Sequence, residues 1–85
     1  MLIKGDKMQF IEEFIDEYKG IKYKIKTYQD KKDKNHFAAY IINPYNTKYI
    51  HTFEMILTKN YTEFIKKLIR EIEGVYMEDK YYGFA

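Results

Sequence analysis

Asp6-Lys7-Met8-Gln9-Phe10-Ile11-Glu12-Glu13-Phe14-Ile15-Asp16-Glu17-Tyr18-Lys19-Gly20 is the stretch on which the architecture turns. Its apolar residues Phe10, Ile11, Phe14, Ile15 and Tyr18 recur at three- and four-residue spacing, the pattern of one helix face. Asp6 stands where an N-cap belongs, Gln9 three residues later completes a capping-box pattern, and Gly20 supplies a stop. The spacing predicts a helix that buries its apolar stripe and presents Glu12, Glu13, Asp16 and Glu17 on the opposite side. Such a row of carboxylates is either a solvated face or a contact surface for a partner.

Immediately downstream the period changes to two. Ile21, Tyr23, Ile25 and Thr27 alternate with Lys22, Lys24 and Lys26, which predicts a strand over 21–28. The three lysines then lie on one face about 6.7 Å apart, given the rise of two strand residues. A lysine row of this kind serves either to protect a sheet edge or to track a phosphate backbone. A polar loop of mixed charge, 29–35, leads to a second strand over about His36–Asn43, with Phe37, Ala39 and Ile41 pointing one way and His36, Ala38, Tyr40 and Ile42 the other. Asn43-Pro44-Tyr45-Asn46 reads as a turn. A third strand is expected over about Lys48–Thr58, with Tyr49, His51, Phe53, Met55 and Leu57 on one face and Ile50, Thr52, Glu54 and Ile56 on the other.

Asn60, with Glu63 three residues on, opens a second predicted helix running to about Glu73 before Gly74, and Tyr61, Phe64, Ile65, Leu68, Ile69 and Ile72 form its apolar stripe. The tail from Val75 to Ala85 contains Tyr76, Tyr81, Tyr82 and Phe84 without a clear period. It is expected to dock as a short strand or turn, or to serve as an aromatic arm for a partner. The order helix, three strands, helix predicts a single α+β domain over 1–85: two layers, with both helices on one face of a three-stranded antiparallel sheet.

Composition narrows the chemistry by exclusion. The 85 residues contain no Cys, no Trp and no Ser, and only four Gly. An ordinary acyl-transfer nucleophile and a phosphate-cradling glycine loop are therefore missing. His36 and His51 fall on different strands without HxH or HExxH spacing, so neither a metal site nor a cofactor is expected. Carboxylate and lysine neighbours occur as Glu17-Tyr18-Lys19 and Glu78-Asp79-Lys80, in a chain where 33% of residues are charged and such matches arise by chance. The expectation is a protein that is not an enzyme. The absence of Cys and of an apolar stretch of signal-peptide or membrane-span length points to a cytoplasmic protein without a membrane partner. Ten Tyr and six Phe, with fourteen Lys against the single Arg70, match the residues AT-rich codons favour. Tyr is also a favoured residue of binding surfaces.

Two binding classes remain. Lys22, Lys24 and Lys26, with Tyr28 and Tyr40 as stacking platforms on the same face, fit a nucleic-acid-binding module. The order of elements resembles that of a double-stranded-RNA-binding domain, from which no residue is carried over because the second helix here opens with Asn60-Tyr61-Thr62-Glu63 rather than with lysines. Protein binding through the acidic surface is the first expectation, and homodimerisation through the third strand or the tail is compatible with it. In size and order of elements the chain resembles small phage-encoded inhibitors of bacterial defence, the anti-CRISPR proteins. That resemblance implies stoichiometric blocking of a nuclease complex by acidic side chains placed where nucleic acid would bind, here Glu12, Glu13, Asp16 and Glu17. The net charge of +2 departs from the strongly acidic examples.

Overall fold

The computed structural model describes residues 7–45 and 50–81. Four strands precede one helix: β1 Met8–Tyr18, β2 Ile21–Asp30, β3 Phe37–Ile42, β4 Ile50–Met55 and α1 Tyr61–Tyr81. The strands form one antiparallel sheet in the order β1-β2-β3-β4, each paired with its neighbour in sequence. The α+β class and the two layers stand as expected. The three-stranded sheet and the pair of helices do not.

The first predicted helix is β1. Its apolar doublets satisfy helical spacing, but the residues that make them are Phe, Ile and Tyr, which favour the pleated surface, and the segment contains no Ala or Leu. β2 beside it offers a ladder of matching length, from Met8 opposite Asp30 to Tyr18 opposite Ile21. Lys19 and Gly20 form the connecting loop with φ of 50° and 80°. Two consecutive residues in the left-handed region make the hairpin turn whose twist matches that of the flanking strands. Gly20 is thus a turn glycine and not a helix stop. Asp6, assigned above as the N-cap, lies outside the described residues.

One irregularity sets the faces of β1. The register shifts between Phe10 and Glu12, leaving Ile11 as the extra residue of a bulge. Beyond it Glu12, Phe14, Asp16 and Tyr18 oppose Thr27, Ile25, Tyr23 and Ile21, while Glu13, Ile15 and Glu17 oppose Lys26, Lys24 and Lys22.

The core lies between the sheet and α1. Tyr23 and Ile25 from β2, Phe37, Ala39 and Ile41 from β3, and Phe64, Leu68 and Ile72 from α1 are buried together. Phe64 stacks on Phe37 and Phe53, with ring centroids 5.3 and 5.7 Å apart. Asn60 caps α1 as expected: its Oδ1 accepts a hydrogen bond from the Glu63 amide at 2.9 Å. The helix does not end at Gly74. It continues to Tyr81, taking in most of the segment expected as a strand, turn or arm, while residues 82–85 lie outside the description. A glycine ends a helix by adopting positive φ; among the described glycines Gly20, in the β1–β2 loop, has a positive φ and Gly74 does not. The second and third predicted strands correspond to β3 and β4 with trimmed ends, Lys48 and Tyr49 falling outside the described residues. Pro44 follows β3 in a turn in which the Tyr45 amide donates to Asn43 Oδ1 at 2.8 Å. Among the described residues no helix is long and apolar enough to cross a membrane.

Candidate functional site

The four acids expected on one helical face are carried instead by a sheet edge. Among the described residues β1 pairs on one side only, with β2. Glu12 and Asp16 share the α1 side of the sheet, and Glu13 and Glu17 share the open side. They form no single acidic face, yet all four border the same exposed edge within the six residues Glu12–Glu17.

The hairpin fixes which backbone groups this edge presents. Tyr18 and Ile21 flank the two-residue loop as its hydrogen-bonded closing pair. Such pairs alternate along an antiparallel ladder with pairs whose amides and carbonyls point the other way. Asp16, Phe14 and Glu12 therefore turn their main-chain groups toward β2. Glu17, Ile15 and Glu13 turn theirs outward, along an edge on which the sheet has no further strand among the described residues.

On the α1 side, Tyr61 donates a hydrogen bond to the Glu12 carboxylate. The Tyr61 hydroxyl also lies 2.9 Å from Thr27 Oγ1, and that fully buried threonine reaches the Glu12 main-chain carbonyl at 3.3 Å. Burial, and after it the Glu12 carboxylate, push the Tyr61 phenol up to about 12. Asp16 stands in a different environment. Partial burial and then the charge of Glu73 on α1 raise its carboxyl above the usual value.

The open face bears the residues of the alternative reading. Lys22, Lys24, Lys26, Tyr28 and Tyr40 share it, and no helix covers it among the described residues. Tyr28 packs edge-on against both Phe10 and Tyr40, with centroids 5.6 and 5.8 Å apart. Both tyrosines are half-buried against Met8 and Ala38 in a small second cluster, so their rings are engaged edge to face with each other. Two of the three lysines stand beside acids: Lys26 lies 3.9 Å from Glu13 and Lys22 is opposite Glu17, while Lys24 is opposite Ile15. The basic column of β2 is therefore flanked by an acidic column of β1.

At the far end of this face His36 lies between two carboxylates, with Nδ1 3.3 Å from Asp30 and Nε2 2.5 Å from Glu54. Asp30 also accepts the amides of Lys32 and Asp33 at 2.7 and 3.0 Å. The Asp33 amide first, then that of Lys32, and finally His36 hold its carboxyl below the usual range. The arrangement ties the β2–β3 loop to β4. His51 pairs separately with Glu71 of α1 at 2.9 Å. No group of three or more His, Asp or Glu that could hold a metal ion occurs among the described residues.

Sequence reasoning missed Tyr61, Thr27, Ile15 and Glu73 as members of the edge. The available signal was Tyr18-Lys19-Gly20-Ile21, a two-residue hairpin loop joining two segments rich in Phe, Ile and Tyr. Fold and site together define a two-layer α+β domain, a four-stranded antiparallel meander backed by one helix, with an acidic exposed first strand. No protein-family model, no curated protein and no solved structure matches this chain.

Proposed function

We propose that this protein is a non-catalytic binding module that acts by protein–protein contact through the acidic edge strand β1. The observation that carries this reading is the concentration of Glu12, Glu13, Asp16 and Glu17 on the outermost strand, with Ile15 56% exposed among them. A surface that combines unpaired main-chain groups, exposed apolar area and charge of one sign favours a partner of the opposite sign. The inhibitor version, a stoichiometric block of a nucleic-acid-handling complex, has the acids taking the place of phosphates. The element order on which that likeness was drawn is replaced by four strands and a helix, so it draws on chain size and these acids alone.

The second reading, nucleic-acid binding by Lys22, Lys24 and Lys26 with Tyr28 and Tyr40, is favoured by their common uncovered face. Glu13 and Glu17 weigh against it. A polyanion laid along β2 would meet the acidic column within one strand spacing of about 4.8 Å, well inside the Debye length.

The experiment is a pair of charge reversals read on two kinds of partner. Glu13→Lys with Asp16→Lys and Glu17→Lys should abolish retention of host proteins by the immobilised domain, while Lys22→Glu with Lys24→Glu and Lys26→Glu should leave it intact. Labelled DNA and RNA should show no salt-sensitive binding to the unmodified protein. Tight nucleic-acid binding that the lysine reversal removes would establish the second reading.

A further inference from the structure

The order of residues along β1 carries more than its charge. Glu12-Glu13-Phe14-Ile15-Asp16-Glu17 reads acid-acid-apolar-apolar-acid-acid. In a strand, each doublet places one member on each face, so both faces of the edge show the same sequence: acid, apolar, acid. On the α1 side these are Glu12, Phe14 and Asp16, and on the open side Glu13, Ile15 and Glu17. The outward main-chain groups of Glu13, Ile15 and Glu17 run through the middle of this block.

We infer that β1 takes up an extended segment of a partner protein as a fifth strand, and that the segment reads basic-basic-apolar-apolar-basic-basic. The inference rests on the reading of the β1 acids as a contact surface and specifies the partner's chemistry and its mode of docking. Main-chain pairing to the edge supplies affinity, and side chains on alternate faces supply selection. A lysine or arginine opposite each acid forms a favourable cross-strand pair, and an apolar residue opposite Phe14 and opposite Ile15 extends the apolar contact on each side. The required pattern is the same in both chain directions, so it fits parallel or antiparallel addition. On the α1 side a cation opposite Asp16 also lies toward Glu73, the like charge that disfavours Asp16 ionisation.

A second copy of β1 is a poor occupant. Antiparallel self-pairing centred on Ile15 sets Glu13 against Glu17, and centring on Phe14 sets Glu12 against Asp16. Like charges directly opposite one another destabilise a ladder. β4, the other edge, is six residues long and has no comparable block of one charge.

The test uses the full chain and fluorescein-labelled synthetic peptides, read by anisotropy at low and near-physiological salt. The first peptide is Lys-Lys-Val-Val-Lys-Lys, and the second is Lys-Val-Lys-Lys-Val-Lys, of equal charge and composition. Two further versions of the first carry N-methyl groups on one or the other set of alternate residues. The expected result is binding of the ordered peptide about tenfold tighter than the shuffled one, equivalent to about 1.4 kcal/mol. One N-methylated set should abolish binding and the other should preserve it, because only one edge of the added strand faces β1. Ile15→Pro, which removes an outward amide and leaves the β2 ladder intact, should weaken the ordered peptide while thermal melting shows the domain still folded.

Equal binding of all four peptides, lost in salt, would overturn strand addition and leave the acidic contact surface standing. Absence of binding even at low salt would overturn both. A dimer of the free protein that Ile15→Pro dissociates would assign the edge to a second copy and overturn the inference as well.

Discussion

At the residue scale, the acids of β1 serve different physical ends. Glu12 is held by Tyr61, whereas Asp16 faces partial burial and Glu73. A carboxyl raised in the folded state favours folding when protonated, a contribution present below its unfolded value near ~4 and lost as pH rises through the folded value. Ionised Asp16 is therefore a cost at neutral pH. Asp16→Asn should raise the midpoint of urea unfolding at pH 7, lose that advantage below about pH 4, and weaken any basic strand bound at the edge. An unchanged midpoint with unchanged binding would remove Asp16 from the account. Tyr61 behaves in the same sense at the other end of the scale. Its phenol is raised to about 12, so the stability it lends is complete below the unfolded value of ~10 and drains away as pH climbs from there toward the folded value. Denaturation followed from pH 8 to 11.5 should show a fall that Tyr61→Phe flattens.

The turn residues belong to the same scale. Lys19 at φ 50° occupies a conformation that suits Asn better, and Gly20 at φ 80° one that other residues resist. Lys19→Asn should hold or raise the melting temperature, and Gly20→Ala should cost about 1 kcal/mol or more, because Ala must adopt the left-handed region.

At the scale of elements, the apolar spacing of β1 satisfies two periods at once. Helical and strand spacing both fit Phe10, Ile11, Phe14, Ile15 and Tyr18, since paired apolar doublets satisfy a 3.6-residue repeat while a strand simply divides each doublet between its faces. Residue type separates the two, because Phe, Ile and Tyr favour strands. β2 was legible from its strict alternation, and the faces of β3 from Phe37, Ala39 and Ile41. The Asn60 cap and the stripe through Phe64, Leu68 and Ile72 were legible for α1. Its far end was not, since a glycine reads as a stop whether or not the backbone uses it as one. A Cβ at Gly74 would meet nothing within 4 Å. Gly74→Ala should therefore stabilise the domain by about 0.5–1 kcal/mol, measured as a shift in thermal midpoint, by restricting the unfolded chain at a helical position. Destabilisation would mean that the helix does not run through this position. The core makes the opposite demand. Phe64→Ala would remove the ring stacked between Phe37 and Phe53, and should cost about 3–5 kcal/mol in chemical denaturation.

On the scale of the whole molecule, one covered sheet face, one open face and one acidic edge divide the work. The covered face holds the domain together through α1. The open face sets charged groups beside one another, with Lys22 and Lys26 beside Glu17 and Glu13 and His36 between Asp30 and Glu54. That juxtaposition could not be read from the lysines alone, because it depends on which segment lies alongside β2. Among the described residues the β1 edge has no further strand beside it, and its acids were legible as candidates before their arrangement was. A strand places them on both sides of a hydrogen-bonding edge, where a helix would have gathered them on a single surface.

The most direct measurement is amide hydrogen exchange across residues 12–18, resolved by NMR, without and with the Lys-Lys-Val-Val-Lys-Lys peptide. Alternation is expected in the free protein, with Glu12, Phe14, Asp16 and Tyr18 protected and Glu13, Ile15 and Glu17 exchanging quickly, followed by slowing of that second set when the peptide is added. Protection of every successive amide would mean a helix, and fast exchange of Glu13, Ile15 and Glu17 that the peptide leaves unchanged would contradict the binding edge.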